Sequence, residues 1–172
     1  MKKDQIIPAV QAATSDVFST MLGVHVTPAE PRTDSTCPSV DDGVMAFVGI
    51  AGTWTGNGII SCTASFACRL CELFLMTEAP AVNEEVLDTV GELANMVVGN
   101  FKTSAESLVG PLGLTVPTVI YGRNFTSRSV GTKEWIVLPF KAGADNFEVR
   151  IWFARTEEGS QMRHHQLQLQ AV

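Results

Sequence analysis

Residues 83–108, NEEVLDTVGELANMVVGNFKTSAESL, are predicted to form one long helix around which the rest of the chain is organised. Asn83 is a suitable N-cap residue, and Glu84 and Glu85 place negative charge in the first turn, where the helix dipole favours it. The pair Gly110-Pro111 is typical of a helix end. At about 100° per residue, one face is apolar and is expected to be buried. That face contains Val86, Val90, Leu93, Val97 and Phe101, widened by Leu87, Ala94 and Val98.

The opposite face of this helix carries a polar stripe. Its members are Asp88, Glu92, Asn95, Gly99 and Lys102. Exposed helix faces are usually filled with strong helix formers such as Glu, Lys, Gln and Ala. Here the exposed face is expected to carry Gly91, Asn95 and Gly99, each of which weakens a helix. A constraint other than helix stability, such as contact with another molecule, is therefore expected to select these residues.

The stripe offers a carboxylate and a carboxamide one helical turn apart. Asp88 and Glu92 form a like-charge pair that costs a few tenths of a kcal/mol, and together they suit a cationic group of a partner. Asn95 can donate and accept hydrogen bonds at once. A carboxamide is a poor base, but it can orient a water molecule toward an electrophile that is already activated. The sequence places no nucleophile beside a base and no metal-binding motif near the stripe.

A family resemblance begins at these residues. The pattern D-x-x-x-E-x-x-N of Asp88, Glu92 and Asn95, followed by M-V-V-G, resembles the signature of the CheC/CheX/FliY phosphatases of bacterial chemotaxis. Residues 50–56, IAGTWTG, are similar to that family's glycine-rich turn, and residues 116–122, VPTVIYG, to its P-x-V-I-x-G segment. CheC-type members have two E-x-x-N sites. Glu92 is the only glutamate of this chain followed by asparagine three residues later, so the chain resembles CheX more than CheC.

The resemblance implies a phosphatase that removes the aspartyl phosphate of a CheY-like response regulator. It implies that Asn95 orients the attacking water and that Glu92 pairs with a lysine of the regulator. Asp88 would have a supporting or docking role, and Gly91 and Gly99 would keep the helix face low enough for the partner to approach. The Mg²⁺ of the reaction would belong to the regulator, with no cofactor bound by this chain. The subunits would pair as homodimers.

Two other classes of function compete with catalysis. The chain could be a CheX-like module that binds or sequesters a response regulator or a flagellar-switch partner without turning it over. It could instead be a structural relative of the flagellar switch components, but these lack the motif that Glu92 and Asn95 preserve here. A plain solvated helix face explains Asp88, Glu92 and Lys102 well, but it explains Asn95 and the glycines poorly.

Composition limits the remaining possibilities. A chain of 172 residues with 45% hydrophobic content can bury a core, and we expect one domain over residues 1–155 and a glutamine-rich C-terminal tail over 156–172. The net charge of −6 argues against nucleic acid or an anionic membrane as a partner. No apolar stretch is long enough to span a membrane, and residues 1–5 do not begin a signal peptide, so a cytoplasmic location is expected.

The cysteines invite a metal or disulfide interpretation. The pair Cys68-x-x-Cys71 could be half of a zinc site, but no second pair or nearby histidine completes it. Cys37 and Cys62 are isolated in the sequence. In a cytosolic chain we expect all four to be reduced packing residues.

The other elements follow from hydrophobic periodicity. Helices are predicted over residues 5–22, with Pro8 in the first turn, and 64–76; strands are predicted over 43–50, 58–63, 115–121, 133–140 and 146–155. Residues 24–40 are expected to be mostly loop, and 51–57, 122–132 and 141–145 to be turns. Trp152 lies on the polar side of its strand. An interface with a partner and a second layer of structure covering this face would explain it equally well. Helices mainly precede strands, which predicts an α+β fold with helices on one face of a largely antiparallel sheet.

Overall fold

The computed structural model describes residues 1–35, 39–126 and 134–156. Within these ranges the helices are α1 (Lys3–Leu22), α2 (Ala64–Leu75) and α3 (Glu84–Val109). The strands in the same ranges are β1 (Thr27–Pro28), β2 (Arg32–Asp34), β3 (Ser39–Gly52), β4 (Trp54–Thr63), β5 (Leu112–Leu114), β6 (Thr118–Thr126), β7 (Trp135–Ala142) and β8 (Asp145–Arg155). Within the described part of the chain, no helix is both long enough and apolar enough to cross a membrane.

The strands form one antiparallel sheet in the order β1-β7-β8-β4-β3-β5. In addition, β2 pairs with β7, and β6 pairs with β3 on the same side as β5. The three helices pack on one face of this sheet, with α3 in contact with α1, α2 and β3. The predicted α+β fold, with helices on one face of a largely antiparallel sheet, is confirmed.

The core lies between α3 and the facing side of the sheet. Because side chains alternate along a strand, Val44, Ala46, Val48 and Ile50 of β3 point toward the helices. The apolar face of α3 meets them, and Phe101 is fully buried there. At the start of this helix, the Asn83 Oδ1 accepts a hydrogen bond from the Val86 N–H at 3.0 Å, which confirms the predicted cap.

The opposite face of the sheet carries a second apolar cluster. Its buried members are Met45, Ile59, Trp135 and Val137, and Phe47 and Trp152 pack against them. Trp152 is therefore half-buried against neighbouring strands of its own sheet rather than standing on a polar surface. The alternation in β8 assigned Trp152 to the correct face, but that face is partly apolar.

The hairpin of β3 and β4 is longer and tighter than predicted. Residues 51–57 are not a glycine-rich connection, since β3 continues to Gly52 and β4 begins at Trp54. Pairs such as Ile50↔Gly56 extend the ladder almost to the turn. Trp54 stacks on Phe153 with ring centroids 5.1 Å apart, so it folds over the hairpin end. The glycines of this stretch serve close packing in the sheet, which local turn chemistry does not reveal.

Other boundaries also differ from the predictions. Pro8 lies in the second turn of α1, because the helix begins at Lys3, where the Gln5 side chain accepts a hydrogen bond from the Lys2 N–H at 3.0 Å. β6 extends through residues 122–126, which were expected to be part of a turn, because these residues pair with the start of β3. β1, β2 and β5 were not predicted as defined strands. Residues 127–133 and the predicted tail from residue 157 lie outside the described ranges.

The described cysteines are packing residues, as expected. Cys62 and Cys71 are buried in the main core, and Cys68 is half-buried against it. Burial raises the pKa of the Cys62 thiol to about 12, so this thiol stays protonated at neutral pH. Cys37 lies outside the described residues.

Candidate functional site

The polar stripe of α3 is tilted, with one edge toward the sheet and the other toward solvent. Measured around the helix axis from Gly91, Asn95 lies at about 40°, Gly99 at about 80° and Glu92 at about 100°. Exposure rises over these four positions, whereas Asp88, at about 60°, is exposed near the start of the helix. Gly91 is buried, Asn95 and Gly99 are half-buried, and Glu92 is exposed, as is Asp88. The carboxamide therefore lies on the sheet side of the stripe, and the carboxylate on the solvent side.

Gly91 does not lie on the exposed face, so that expectation was wrong. A Cβ atom on Gly91 would lie 3.0 Å from Val119 Cγ2 and 3.7 Å from Pro117 Cβ. The glycine allows α3 to approach β6 closely within this chain. Helical periodicity placed Gly91 at the edge of the stripe, but only the packing of β6 decides that this edge is covered.

Asn95 lies between two contacts of α3 with the β5–β6 region. One turn before it, Gly91 faces Pro117 and Val119; one turn after it, a Cβ atom on Gly99 would lie 3.9 Å from Leu114 Cδ1. Residues 114–117 must therefore run alongside α3 past the level of Asn95. Asn95, which lies between these two contacts along the helix, is half-buried although it belongs to the stripe.

The chain beside Asn95 is fastened to the sheet. The Thr115 N–H donates to the Gly49 carbonyl at 3.0 Å, and the Gly49 N–H donates to Thr115 Oγ1 at 2.9 Å. Pro117 further restricts the backbone. We call residues 115–117 the flanking segment. In the sequence, residues 116–122 stand out only as a motif, because their contact with α3 depends on the reversal of the chain after that helix.

Asp88 and Glu92 form an acidic surface on α3. Both are exposed, and among the residues that the structure describes neither makes an ion pair. They lie one turn apart on the same side of α3, so their charges repel each other weakly. A cationic group brought by another molecule would relieve that repulsion.

Lys102 belongs to the end of α3 and not to this acidic surface. Its Nζ atom lies 3.0 Å from Glu106 Oε1, which also accepts a hydrogen bond from the Leu112 N–H at 2.9 Å. The hydrogen bond from Leu112 and the pairing with Lys102 lower the pKa of Glu106. These contacts fasten the C-terminal turn of α3 to β5, which supports the position of Asn95 two turns earlier.

A close contact with the sheet also fixes the depth of α3. A Cβ atom on Gly58 of β4 would lie 2.3 Å from Val98 Cγ2, well inside van der Waals distance. Val98 is one turn from Asn95 and is buried. Within the described ranges, no group of three His, Cys, Asp or Glu side chains is arranged to hold a metal ion.

The fold and these residues define a class of α+β protein whose long surface helix carries exposed carboxylates and, on the sheet side, a half-buried carboxamide one turn away. The family model described as "Chemotaxis phosphatase CheX" matches residues 44–141, more than half of the chain. The chain belongs to this CheX family of chemotaxis phosphatases.

Similar proteins agree with this assignment. The chain is 26% identical over 128 residues to the CheY-P phosphatase CheX of Thermotoga maritima, covering 74% of this chain and 82% of that protein. The crystal structure of a CheX from Desulfovibrio desulfuricans is 27% identical, with a TM-score of 0.76 and coverage of 85% and 97% of the two chains. The structure of the CheX–CheY–BeF₃–Mg²⁺ complex from Borrelia burgdorferi is 26% identical, with a TM-score of 0.75 and coverage of 87% and 98%.

Proposed function

We propose that this chain dephosphorylates the aspartyl phosphate of a CheY-like response regulator. Its membership of a phosphatase family supports this, as do the activity named for the Thermotoga relative and the CheX–CheY complex of Borrelia. The observation on this chain that carries the proposal is the presence of an exposed Glu92, which makes no ion pair among the described residues, one turn from a half-buried Asn95.

Asn95 is the proposed water-orienting residue. It is half-buried on the sheet side of the stripe, between the contacts that α3 makes at Gly91 and at Gly99. One polar atom of the amide would hold the attacking water, and the other would contact the phosphoryl group. An acyl phosphate is already activated, so positioning supplies most of what the reaction needs and a strong base is unnecessary.

Glu92 is the proposed partner of a lysine in the regulator. Its carboxylate is exposed on the solvent side, where a cation from another protein can reach it. Asp88 would strengthen the local negative potential and assist docking, and the absence of a side chain at Gly99 would leave room beside Asn95. Gly91 is not part of this proposal because it is buried against β6. The Mg²⁺ would be supplied by the regulator, as the Mg²⁺ in the Borrelia complex suggests.

The proposed enzyme would act as a homodimer. β6 lies at one edge of the sheet, and its Ile120 and Tyr121 side chains are 38% and 41% exposed. A nine-residue edge strand with exposed apolar side chains readily pairs with another chain. A second copy of this protein is the proposed occupant of that edge.

The experiment that tests the proposed activity compares variants of Asn95 and Glu92 with phosphorylated CheY-like regulators of the same cell. Asn95→Ala removes no charge, so the protein should fold and bind the regulator while the bound-state rate falls by a factor on the order of 10². Glu92→Ala should weaken both binding and turnover, because losing one member of a close interfacial charge pair costs about 2 kcal/mol. Glu92→Gln should show most of the same loss, and Asp88→Ala a milder one.

Asn100→Ala is the matched control. It removes the same side chain from the same helix, but Asn100 Nδ2 donates to Asp16 Oδ2 at 3.1 Å, away from the stripe. The control should retain activity. Near-normal turnover by a folded Asn95→Ala variant would refute the catalytic role. If Asn95→Ala and Glu92→Ala weaken binding equally and leave the bound-state rate unchanged, the stripe is a docking surface and the protein is the sequestering module.

A further inference from the structure

Val116 stands out in the flanking segment because its side chain is exposed while its backbone is held. The side chain is 85% exposed. Its neighbour Thr115 makes two hydrogen bonds to Gly49 in β3, and Pro117 packs beside Gly91 of α3. A single exposed valine needs no explanation by itself. This one differs because both of its neighbours in the chain are held in place by contacts with β3 and α3.

The position of Val116 follows from the contacts on either side of it. Leu114 lies against Gly99 of α3, and Pro117 lies against Gly91, two helical turns earlier. Thr115 and Val116 therefore pass beside the part of α3 between Gly91 and Gly99. The middle residue on this side of α3 is Asn95. Because Thr115 is turned to β3 by its hydrogen bonds, Val116 is the residue of the pair left to face outward.

We propose that Val116 is a docking residue that contacts an apolar part of the regulator surface beside the phosphorylated aspartate. This inference rests on the proposed function. Asn95 is half-buried, so its amide can reach a phosphoryl group only if the regulator comes down onto α3 and its border. The flanking segment forms that border on the sheet side. A regulator that reaches Asn95 would therefore come down beside Val116, whose side chain is 85% exposed.

Val116 is suited to this contact on energetic grounds. An apolar side chain loses no hydrogen bonds to water when a partner covers it, and burial of its surface favours binding. Because hydrogen bonds and a proline already hold the backbone, little further conformational entropy is lost on docking.

The residues around Asn95 define the kind of partner surface that would fit. On the solvent side of Asn95, Asp88 and Glu92 require a cation. On the sheet side, Val116 requires an apolar patch. The two features would lie on different sides of Asn95. A regulator with a charged residue where it meets Val116 should be a poor substrate. Val116 would thus help to select among CheY-like regulators.

The test compares Val116→Ser and Val116→Ile in the full-length protein. Val116→Ser should raise KM for the phosphorylated regulator roughly tenfold, the effect of losing burial of one valine, and leave kcat unchanged. Val116→Ile keeps the apolar contact and should stay near wild type. Met76→Ser is the control, because Met76 is also an exposed apolar residue, at 91%, but follows α2. The same variants are titrated against a regulator loaded with BeF₃ and Mg²⁺, which measures docking without turnover.

The outcomes separate this inference from the proposed function. An active wild type whose Val116→Ser variant has unchanged KM and affinity overturns the docking role and leaves the phosphatase intact. An inactive wild type that still binds the loaded regulator, with roughly tenfold weaker binding by Val116→Ser, overturns the phosphatase and supports the docking role. A fall in kcat alone, or an equal effect of Met76→Ser, overturns the docking role.

Discussion

Gly58→Ala should push α3 away from the sheet and disturb the candidate site. The added Cβ would lie 2.3 Å from Val98 Cγ2, and no real packing tolerates that distance. Val98 cannot easily turn aside, since valine in a helix strongly prefers one rotamer. Overpacking of this kind costs about 1–3 kcal/mol. We therefore expect a loss of about 2 kcal/mol in the free energy of unfolding, measured by urea denaturation.

A second substitution should relieve the clash. Val98→Ala alone removes two buried methyl groups and should cost about 2 kcal/mol. In the double variant the nearest remaining Val98 atom to the new methyl group is Cβ, at 3.5 Å, an ordinary contact. The double variant should therefore be more stable than the sum of the two losses predicts, with a coupling energy of about 2 kcal/mol.

The same series tests whether the depth of α3 controls the site. Asn95 is one helical turn from Val98, and a misplacement of about 1 Å can cost a factor of about 10² in rate. Gly58→Ala should therefore lower phosphatase activity, and the double variant should recover part of it. Additive losses of stability would show that the contact between Gly58 and Val98 is not tight and would refute the reasoning.

Two further predictions concern the end of α3 and the edge of the sheet. The pKa of Glu106 is lowered from its ordinary value of 4.5. Its contribution to stability is therefore present at neutral pH and is lost as the pH falls below 4.5 and through the lowered pKa. The difference in unfolding free energy between wild type and Glu106→Gln should accordingly shrink in acid urea titrations; a constant difference would contradict this. Ile120→Lys should weaken the proposed dimer in light scattering, whereas Met76→Lys should not. A wild-type monomer at all concentrations would contradict the pairing.

The features that the sequence predicted well are those determined locally. The start of α3 depends on Asn83 and the two glutamates after it, and its end on Gly110, so the structure lies within one residue of the predicted bounds. The strand β8 was found because apolar and polar residues alternate along it. The chain also carries Glu92 and Asn95 at a spacing that places them on adjacent turns whatever the helix packs against.

The features that were missed depend on contacts between distant parts of the chain. β5 has only three residues, one of them glycine, and exists because it pairs with the end of β3. Gly91 has no side chain, so periodicity carried no signal that β6 would cover it. Lys102 was placed in the stripe by its angle, but its pairing with Glu106 gives it a structural role. The nearness of Val116 to Asn95 required the chain reversal after Gly110.

The β3–β4 hairpin has a further consequence for how the two sides of the site move. The contact between Gly58 and Val98 holds α3 close to β4, and Thr115 of the flanking segment is hydrogen-bonded to Gly49 of β3. Gly49 and Asn57, the neighbour of Gly58, face each other in the ladder. The helix that contains Asn95 and the segment that contains Val116 are thus attached to neighbouring positions of the same hairpin. When the sheet bends or twists, both should shift together, so their separation is preserved while their orientation toward the rest of the molecule changes.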